Sequence, residues 1–502
     1  MKERSGILAR IDDAFNPIVV KELRQAVHGK FVAAVLIVLL VIQITAIGLI
    51  IISSDDISTR FDHGRNAFMI LQSIMLGICL LFVPAYTAFR LGSERSDTNV
   101  DLFFITTIRP RAIISGKVFA ALVITVLIFS ACMPFMVFTY WLRGIDLPSI
   151  FVMLAFSFLV VVVAVHMATF IASIGANRVF KILIGVAALC LLLPIFVTTL
   201  SFSFSLLMTG VGSRLNSWTF WGPALATVLI LFTMIGLLFF LSVALITPIS
   251  ANRAFAVRLY VMVAWLVGGA TGAVISYVNK DNTAVIVWSI LSGAIFFLGF
   301  LVSVSEREIL GSRLLRKIPR TTPFRVPAFF LFSGGASGVA WCCLMCVLTL
   351  IWVRLWKMTG GRGDPHLRDA MAWVGALGLY GFGYAMTAVF LRTTFLARWL
   401  SAKFTGLVAL FLLAIGSIVP YLVCYLIFFG SPSDSQRTAI FLLGNPFAMD
   451  FTSGFRAVFL IFAGGWALVI ALLNLSWFHR GIAGFRPPEE KIEMEPALSE
   501  SR

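Results

Sequence analysis

Hydrophobic positions along the chain gather into twelve long runs that are separated by short polar segments. A helix of roughly 20 residues crosses the hydrocarbon core of a bilayer, which is about 30 Å thick. Each run is long enough for this, so the pattern predicts an all-α polytopic membrane protein with about twelve spans. The predicted spans cover residues 31–53, 67–89, 118–140, 151–172, 182–200, 224–246, 259–278, 284–304, 328–353, 370–391, 404–428 and 457–475. Pro194 and Pro420 lie inside two of them, where a proline more often kinks a membrane helix than breaks it.

The composition agrees with this pattern. Of the 502 residues, 60% are hydrophobic and 12% are charged, whereas a soluble domain has roughly 45–50% apolar and about 25% charged residues. These values exclude a soluble globular protein and a disordered chain. The seven cysteines are too few for a disulfide scaffold, and all of them fall within predicted spans.

The distribution of basic residues predicts the orientation in the membrane. With the N-terminus inside, 28 of the 39 Lys and Arg residues fall in cytoplasmic segments and 11 fall outside. The positive-inside rule then places both termini in the cytoplasm. We expect a multi-pass protein of the plasma membrane, with the bacterial inner membrane as the favoured location. The net charge of +16 reflects this topology and an attraction to membrane lipids, and it does not indicate nucleic acid as a partner.

The predicted spans contain almost no ionisable side chains. Every Asp and Glu lies outside them, and His166 is the single ionisable residue well inside one. Proton- or ion-coupled transporters usually carry charged side chains at membrane depth, so this pattern argues against that class. His166 suits a hydrogen bond within the bundle better than it suits a proton relay.

Catalytic signatures are absent from the sequence as well, including phosphate-binding loops and the motifs of zinc proteases and serine hydrolases. We therefore expect no catalytic residue, no bound cofactor and no metal site in this chain. Cys342, Cys343 and Cys346 could together contact a metal. No histidine or carboxylate lies near them in the sequence, so simple packing is favoured for these thiols.

An amphipathic helix is predicted just before the first span. Asn16 can cap it, Pro17 suits its first position, and Gly29 can end it. Its polar face carries basic residues, and we single out Lys21, Glu22 and Arg24. One interpretation is a general anchor at the membrane surface. The other is an elbow helix that receives force from a cytoplasmic partner.

The segment between the second and third predicted spans, residues 94–117, reads ERSDTNVDLFFITTIRPRAIISGK. It resembles, without a gap, the E-R-x-x-G-T-L-E-L-L-L-x-T-P-L-S-x-R-x-I-x-x-G-K pattern of type-2 ABC exporter permeases. The matching residues are Glu94, Arg95, Leu102, Thr106, Arg111, Ile113, Gly116 and Lys117, with Asp101 where the pattern has Glu. The sequence departs from the pattern at Thr98, Asn99 and Thr107, where Gly, Thr and Pro are expected. The N-terminal NPIVVKELRQ is similar to the elbow of the same family.

This resemblance covers the first six spans and implies a function. In that family a separate ATPase subunit docks on this cytoplasmic loop, and ATP-driven closure is transmitted through the loop and the elbow. The implied ATPase-binding residues are Glu94, Arg95, Asp101, Leu102, Phe103, Phe104 and Thr106. The chain would then be the transmembrane permease subunit of an ATP-driven exporter, within a homo- or hetero-dimer. ATP would be bound and hydrolysed by the partner, so we expect no enzymatic activity in this chain.

Spans seven to twelve could repeat the first six in parallel. Ser93-Glu94-Arg95 follows the second span, and Ser305-Glu306-Arg307 follows the eighth. A fusion of a six-span permease with an unrelated six-span domain is the alternative, and the repeat is slightly favoured. The predicted division is a tail and elbow (1–30), a permease domain (31–250), a second six-span domain (251–480) and a disordered cytoplasmic tail (481–502).

Two rival functions stand beside the exporter. A secondary transporter would need buried acidic residues, which the predicted spans lack. A non-transporting membrane scaffold would need no particular side-chain chemistry. Asn445-Pro446-Phe447, in the segment before the last span, is predicted to form a turn or a short interfacial helix rather than a binding site.

Overall fold

Twelve helices in the structure, a computed structural model, are long and apolar enough to cross a membrane. The structure describes residues 17–53, 63–94, 109–175, 178–212, 215–248, 250–359, 364–428, 442–449 and 453–487. Within these ranges the regular structure is entirely helical. The prediction of an all-α polytopic membrane protein with about twelve spans is therefore confirmed. The chain divides into two compact units, Met1–Pro248 and Ile249–Arg502, and each contains six of the spans.

In the described part of unit 1, a short amphipathic helix comes first and six spans follow it. The helices are α1 (Pro17–His28), α2 (Lys30–Ser53), α3 (His63–Glu94), α4 (Pro110–Phe138), α5 (Leu147–Ala172), α6 (Arg178–Thr209) and α7 (Trp218–Ile246). Pro194 lies inside α6 without ending it. This agrees with the expectation that the proline does not break the span.

The core of unit 1 lies around α3 and α5, which are the most buried of its spans, whereas α2, α6 and α7 expose most of their apolar surface. That exposure suits contact with lipid tails. Gln72, near the middle of the bundle, is fully buried. Its amide nitrogen lies 2.9 Å from the hydroxyl oxygens of both Ser157 on α5 and Ser203 on α6. Polar side chains thus join three helices where no water is present to compete.

Within its described residues, unit 2 contains six spans, three shorter α-helices and three 3-10 helices. The α-helices are α8 (Ala254–Asn279), α9 (Thr283–Ser303), α10 (Ser312–Leu315), α11 (Thr322–Leu331), α12 (Gly335–Thr359), α13 (Pro365–Thr394), α14 (Thr405–Phe428), α15 (Arg456–Leu473) and α16 (Leu475–Ala483). The core gathers around α13, which packs against α9, α12, α14 and α15. Pro420 lies inside α14, which also continues past it.

A buried arginine organises one end of unit 2. Arg258, in the first turns of α8, is 4% exposed. Its guanidinium donates to both carboxylate oxygens of Glu306 at 2.8 Å. It also donates to the backbone oxygens of Phe330 and Phe332, at 2.9 and 2.6 Å. Arg258 therefore fixes the N-terminal end of α8 to the residues that follow α9 and to the end of α11. We call this end of unit 2 the Glu306 end.

The ninth span differs from the prediction. The apolar run 328–353 was expected to be one span, but the chain breaks between α11 and α12, and the span is Gly335–Thr359. Asn252 holds the break, because its side-chain oxygen accepts from the backbone nitrogen and the hydroxyl of Ser333 at 3.0 and 2.9 Å. Hydrophobicity alone does not report this break, which depends on residues far away in the sequence.

Several other spans begin earlier along the chain than predicted, and two of them begin at a proline. α4 starts at Pro110 and α13 starts at Pro365, rather than at positions 118 and 370. A proline suits the first turn of a helix because its missing N–H has no partner there anyway. Asp369 consequently lies inside α13, which corrects the expectation that every acidic residue lies outside the spans. It forms an ion pair with Arg456 at the start of α15.

The segment before α15 packs inside unit 2. Residues 442–449 end in a short 3-10 helix, Pro446–Met449. Leu442 and Met449 are fully buried among side chains of α9, α13, α14 and α15. The short helix expected at this place is therefore present, but it lies among the spans rather than on their surface.

Two tyrosines hold this segment. Tyr380 and Tyr384 occupy the middle of the 30-residue α13. Their hydroxyls donate to the backbone oxygens of Leu443 at 2.6 Å and Gly444 at 2.5 Å. Non-helical backbone at membrane depth requires such partners within the protein, because the lipid offers none. A Cβ atom at Gly416 would lie 2.1 Å from the Tyr384 hydroxyl, so the glycine makes room for this hydrogen bond.

We expect Tyr384→Phe to lower the stability of the detergent-solubilised protein by about 1–3 kcal/mol, because it leaves a buried carbonyl without its donor. Thermal unfolding provides the measurement. Tyr277→Phe is the matched control, since Tyr277 is 77% exposed and should change stability by less than about 0.5 kcal/mol. Equal melting temperatures for the two variants would show that the tyrosine hydroxyl does not hold the segment.

Candidate functional site

The amphipathic helix α1 supplies an acidic side chain to the interior of unit 1. The helix begins at Pro17 and ends before Gly29, as the sequence predicts. Among the described side chains of α1, the buried positions are Val19, Glu22 and Ala26, which recur at the spacing of one helix face. Two apolar residues and one carboxylate therefore form the contact face of α1.

Glu22 pairs with two cations from different spans. One of its carboxylate oxygens accepts from the Lys117 ammonium at 2.8 Å, and the other lies 3.4 Å from the Arg90 guanidinium. The side chains of Glu22 and Lys117 are 5% and 2% exposed, whereas that of Arg90 is 29% exposed. We call these three residues the elbow cluster.

Burial makes the elbow cluster sensitive to the loss of any member. The desolvation penalty of moving an ion pair out of water offsets much of the Coulombic attraction between its members. A buried ion pair is therefore weak evidence for net stability. Removing one partner is a different matter, because it leaves a buried charge without compensation and typically costs about 3–5 kcal/mol. The cluster therefore works mainly as a device that fixes α1 in one position.

The neighbours of the cluster reinforce this position. Arg90 also contacts the side-chain oxygen of Gln25, and its guanidinium lies 6.0 Å from the ring centre of Tyr86. A small cavity adjoins the three charges, and Thr87 and Ile124 contribute to its wall. α1 is thus held by polar contacts on two of its turns.

The elbow cluster joins α1 to both spans that flank the predicted coupling loop. Arg90 lies one turn from the end of α3, which finishes at Glu94. Lys117 lies two turns into α4, which starts at Pro110. Residues 95–108 connect these two helices in the sequence. A displacement of either helix end would act directly on the carboxylate of α1.

The predicted ATPase-binding residues lie mostly outside the described part of the chain. Arg95, Asp101, Leu102, Phe103, Phe104 and Thr106 fall in residues 95–108, and Glu94 is described only as the last residue of α3. Their proposed contacts stay predictions. Of the three elbow residues singled out, Lys21 and Arg24 are exposed and Glu22 is buried.

Sequence reasoning missed the partners of Glu22. In the sequence, Lys117 is a position that matches the permease pattern, and Arg90 is one of the 28 basic residues placed in cytoplasmic segments. The spacing of Val19, Glu22 and Ala26 on one helix face was the available signal that Glu22 points inward. The sequence does not say which cation it meets.

Unit 2 has ion pairs of its own at the Glu306 end. Besides Arg258 and Glu306, Arg392 of α13 pairs with Glu308, which also accepts from the Trp477 indole nitrogen at 2.6 Å. Glu306 belongs to the triad proposed as a repeat of residues 93–95. The repeat stays a prediction, because the side chains of that first triad lie outside the described residues.

The buried histidine and the cysteines show no sign of a metal centre. Within the described residues no group of three His, Cys, Asp or Glu side chains could hold a metal ion. His166 is bonded to its own helix, with its Nδ1 2.8 Å from the backbone oxygen of Val162. Cys342 lies 3.9 Å from the Ser303 hydroxyl, and all seven cysteines are free thiols.

Comparison with known proteins identifies no relative of this chain. No family model, no curated protein and no solved structure matches the chain.

We expect Glu22→Gln to destabilise the solubilised protein by roughly 3 kcal/mol, because Lys117 loses its buried counter-charge. Thermal unfolding is again the measurement. Arg24→Gln is the control, since it changes one charge on the exposed face of the same helix. The double variant Glu22→Leu with Lys117→Met should recover most of the lost stability, because it removes both charges of the pair. Additive losses in the double variant would contradict the pairing.

Proposed function

We propose that this chain is the transmembrane permease subunit of an ATP-driven exporter of the type-2 ABC class, with ATP hydrolysed on a separate subunit. The observation that carries the proposal is the elbow cluster. Glu22 of α1 contacts Arg90, one turn before the end of α3, and Lys117, two turns into α4. These are the two helices that flank the loop on which the ATPase would dock. A force applied to that loop would reach α1, α3 and α4 together.

The shape of the cluster suits a transmitting element. Apolar packing alone would allow α1 to slide against the spans, whereas a carboxylate held by two cations has one favoured position. In this proposal the ATPase moves the loop, the ends of α3 and α4 follow, and the ion pairs carry α1 with them. Lys21 and Arg24 lie on the exposed face of α1, which is where a helix at the membrane surface carries its basic side chains.

The charges of the described spans favour this mechanism over coupling to an ion gradient. Asp369 is the single acidic residue in the described spans. It lies in the second turn of α13 and pairs with Arg456, away from the middle of the bilayer. A secondary transporter usually carries its coupling carboxylate near the midplane. In the proposed exporter the energy comes from a partner instead.

The experiment distinguishes binding of the ATPase to the loop from transmission of its movement to α1. The chain is co-expressed with the ATPase that co-purifies with it, and partner recovery and ATPase rate are measured at equal membrane expression. Phe103→Ala with Phe104→Ala should reduce partner recovery more than tenfold, since central apolar anchors often cost about 2 kcal/mol each. Glu22→Leu with Lys117→Met should keep the partner but uncouple the ATPase rate from the presence of the permease.

Arg24→Gln is the control for both measurements, and it should behave like the wild type. The proposal fails if no ATPase co-purifies with the intact chain. Unchanged recovery with the double phenylalanine variant would exclude residues 95–108 as the docking site. A chain that binds no ATPase and moves no solute would favour the scaffold alternative.

The proposed orientation has both termini in the cytoplasm of a plasma membrane, because 28 of 39 basic residues then lie inside. We expect single cysteines at positions 56, 281 and 434 to react with a membrane-impermeant thiol reagent added from outside intact cells. A cysteine at position 313 should react only after the membrane is opened. Labelling of position 281 solely from the cytoplasmic side would reverse the orientation of unit 2.

A further inference from the structure

A chain segment at the Glu306 end of unit 2 presents basic side chains with no acidic neighbour in the sequence. Residues 312–331 include α10 and α11, between the spans α9 and α12. Leu314 and Ile318 are buried and hold the first part of the segment on the unit. Arg313, Arg316 and Lys317 lie on the opposite side and are exposed.

Three exposed cations of this segment have no acidic residue close to them in the sequence. No Asp or Glu occurs between Leu310 and Gly363. The two acidic residues just before the segment, Glu306 and Glu308, are already engaged with Arg258 and Arg392. Arg313, Arg316 and Lys317 therefore present exposed positive charge to an anionic partner from outside the chain.

The second part of the segment has an apolar surface that the protein does not cover. None of the residues of α11 is buried, and Phe324 and Val326 are 69% and 58% exposed. The other side of the helix is attached to the unit, because the rings of Phe329 and Phe332 each lie 5.4 Å from that of Phe485. Cations beside exposed apolar side chains are typical of a helix that lies in the membrane interface.

Neighbouring loops at this end of the unit also expose aromatic side chains. Trp399 and Phe395, which follow α13, are 88% and 73% exposed. They belong to the same end, because the Ser305 hydroxyl oxygen accepts from the backbone nitrogen of Gly406 at 2.8 Å. Aromatic side chains are enriched at the level of lipid headgroups. Phosphate groups of lipids would thus lie within reach of the basic side chains.

We infer that residues 312–331 bind the headgroups of anionic phospholipids in the adjoining leaflet. Arg313, Arg316 and Lys317 bind the phosphates, and Phe324 and Val326 insert among the upper parts of the acyl chains. A cation near an anionic surface contributes roughly a fivefold change in affinity. Three such cations together give the segment a higher affinity for an anionic lipid than for a zwitterionic one. The inference does not depend on the proposed exporter function.

The test uses the full chain in a neutral detergent, titrated with phosphatidylglycerol or with phosphatidylcholine in mixed micelles. The readouts are the melting temperature and the number of lipids retained in native mass spectrometry. We expect phosphatidylglycerol to stabilise the wild type and phosphatidylcholine to have little effect. Arg313→Gln, Arg316→Gln and Lys317→Gln together should raise the half-maximal phosphatidylglycerol concentration at least tenfold.

The chain offers a matched control at the opposite end of unit 2. Arg354→Gln, Lys357→Gln and Arg368→Gln remove the same charge and should leave the lipid response unchanged. Arg313→Lys with Arg316→Lys keeps the charge and should also respond like the wild type. Equal responses to the two lipids, or equal losses in the two triple variants, would overturn the inference. Stabilisation by inorganic phosphate to the same extent would assign the segment to a soluble anion instead.

Discussion

The hydrocarbon core of a bilayer offers no water to a polar group, so every buried charge and every non-helical carbonyl must find its partner within the chain. The structure meets this requirement with side chains that come from other helices. Arg258 receives the carboxylate of Glu306 and three further acceptors. Tyr380 and Tyr384 supply the donors for a segment that has left helical geometry.

The same requirement explains where the charges lie. The ionisable pairs of the described spans lie near the ends of helices, as Asp369 with Arg456 does. The elbow cluster follows this rule, since Arg90 and Lys117 are within two turns of the ends of α3 and α4. An ion pair within two turns of a helix end can fix that end and can still respond to a partner protein outside the membrane. This combination makes the cluster the best candidate for a transmitting element.

Hydropathy predicted the number of spans well, because twenty apolar residues in a row leave few alternatives. It could not predict the break before α12, because the residues 328–332 are as apolar as a span. The break depends on Ser333 and on Asn252, which lies 81 residues earlier. Ser333, Gly334 and Gly335 at the break are a turn signal that hydropathy does not weigh. Hydropathy misses the early start of α13 for another reason, because the polar residues His366, Arg368 and Asp369 in its first turns lower the local hydrophobicity.

The candidate site was predictable in part. The elbow helix, its first residue and its last turn follow from Pro17, Gly29 and the apolar pattern between them. The buried role of Glu22 follows from its place on the apolar face. Its partners do not, because Arg90 and Lys117 are 68 and 95 residues away. The docking residues on 95–108 rest on resemblance alone, and their contacts lie outside the described residues.

The position of Arg258 has a consequence for the order of assembly. Its acceptor Ser337 lies 79 residues further along the chain. A ribosome that adds about 5–20 residues per second needs roughly 4–16 s to reach that residue. The counter-charge Glu306 lies 48 residues after Arg258 and is made before Ser337, so α8 carries an unpaired cation only during the first part of this interval. The full set of acceptors around Arg258 is complete once the start of α12 has been made, so this end of unit 2 reaches its final geometry late.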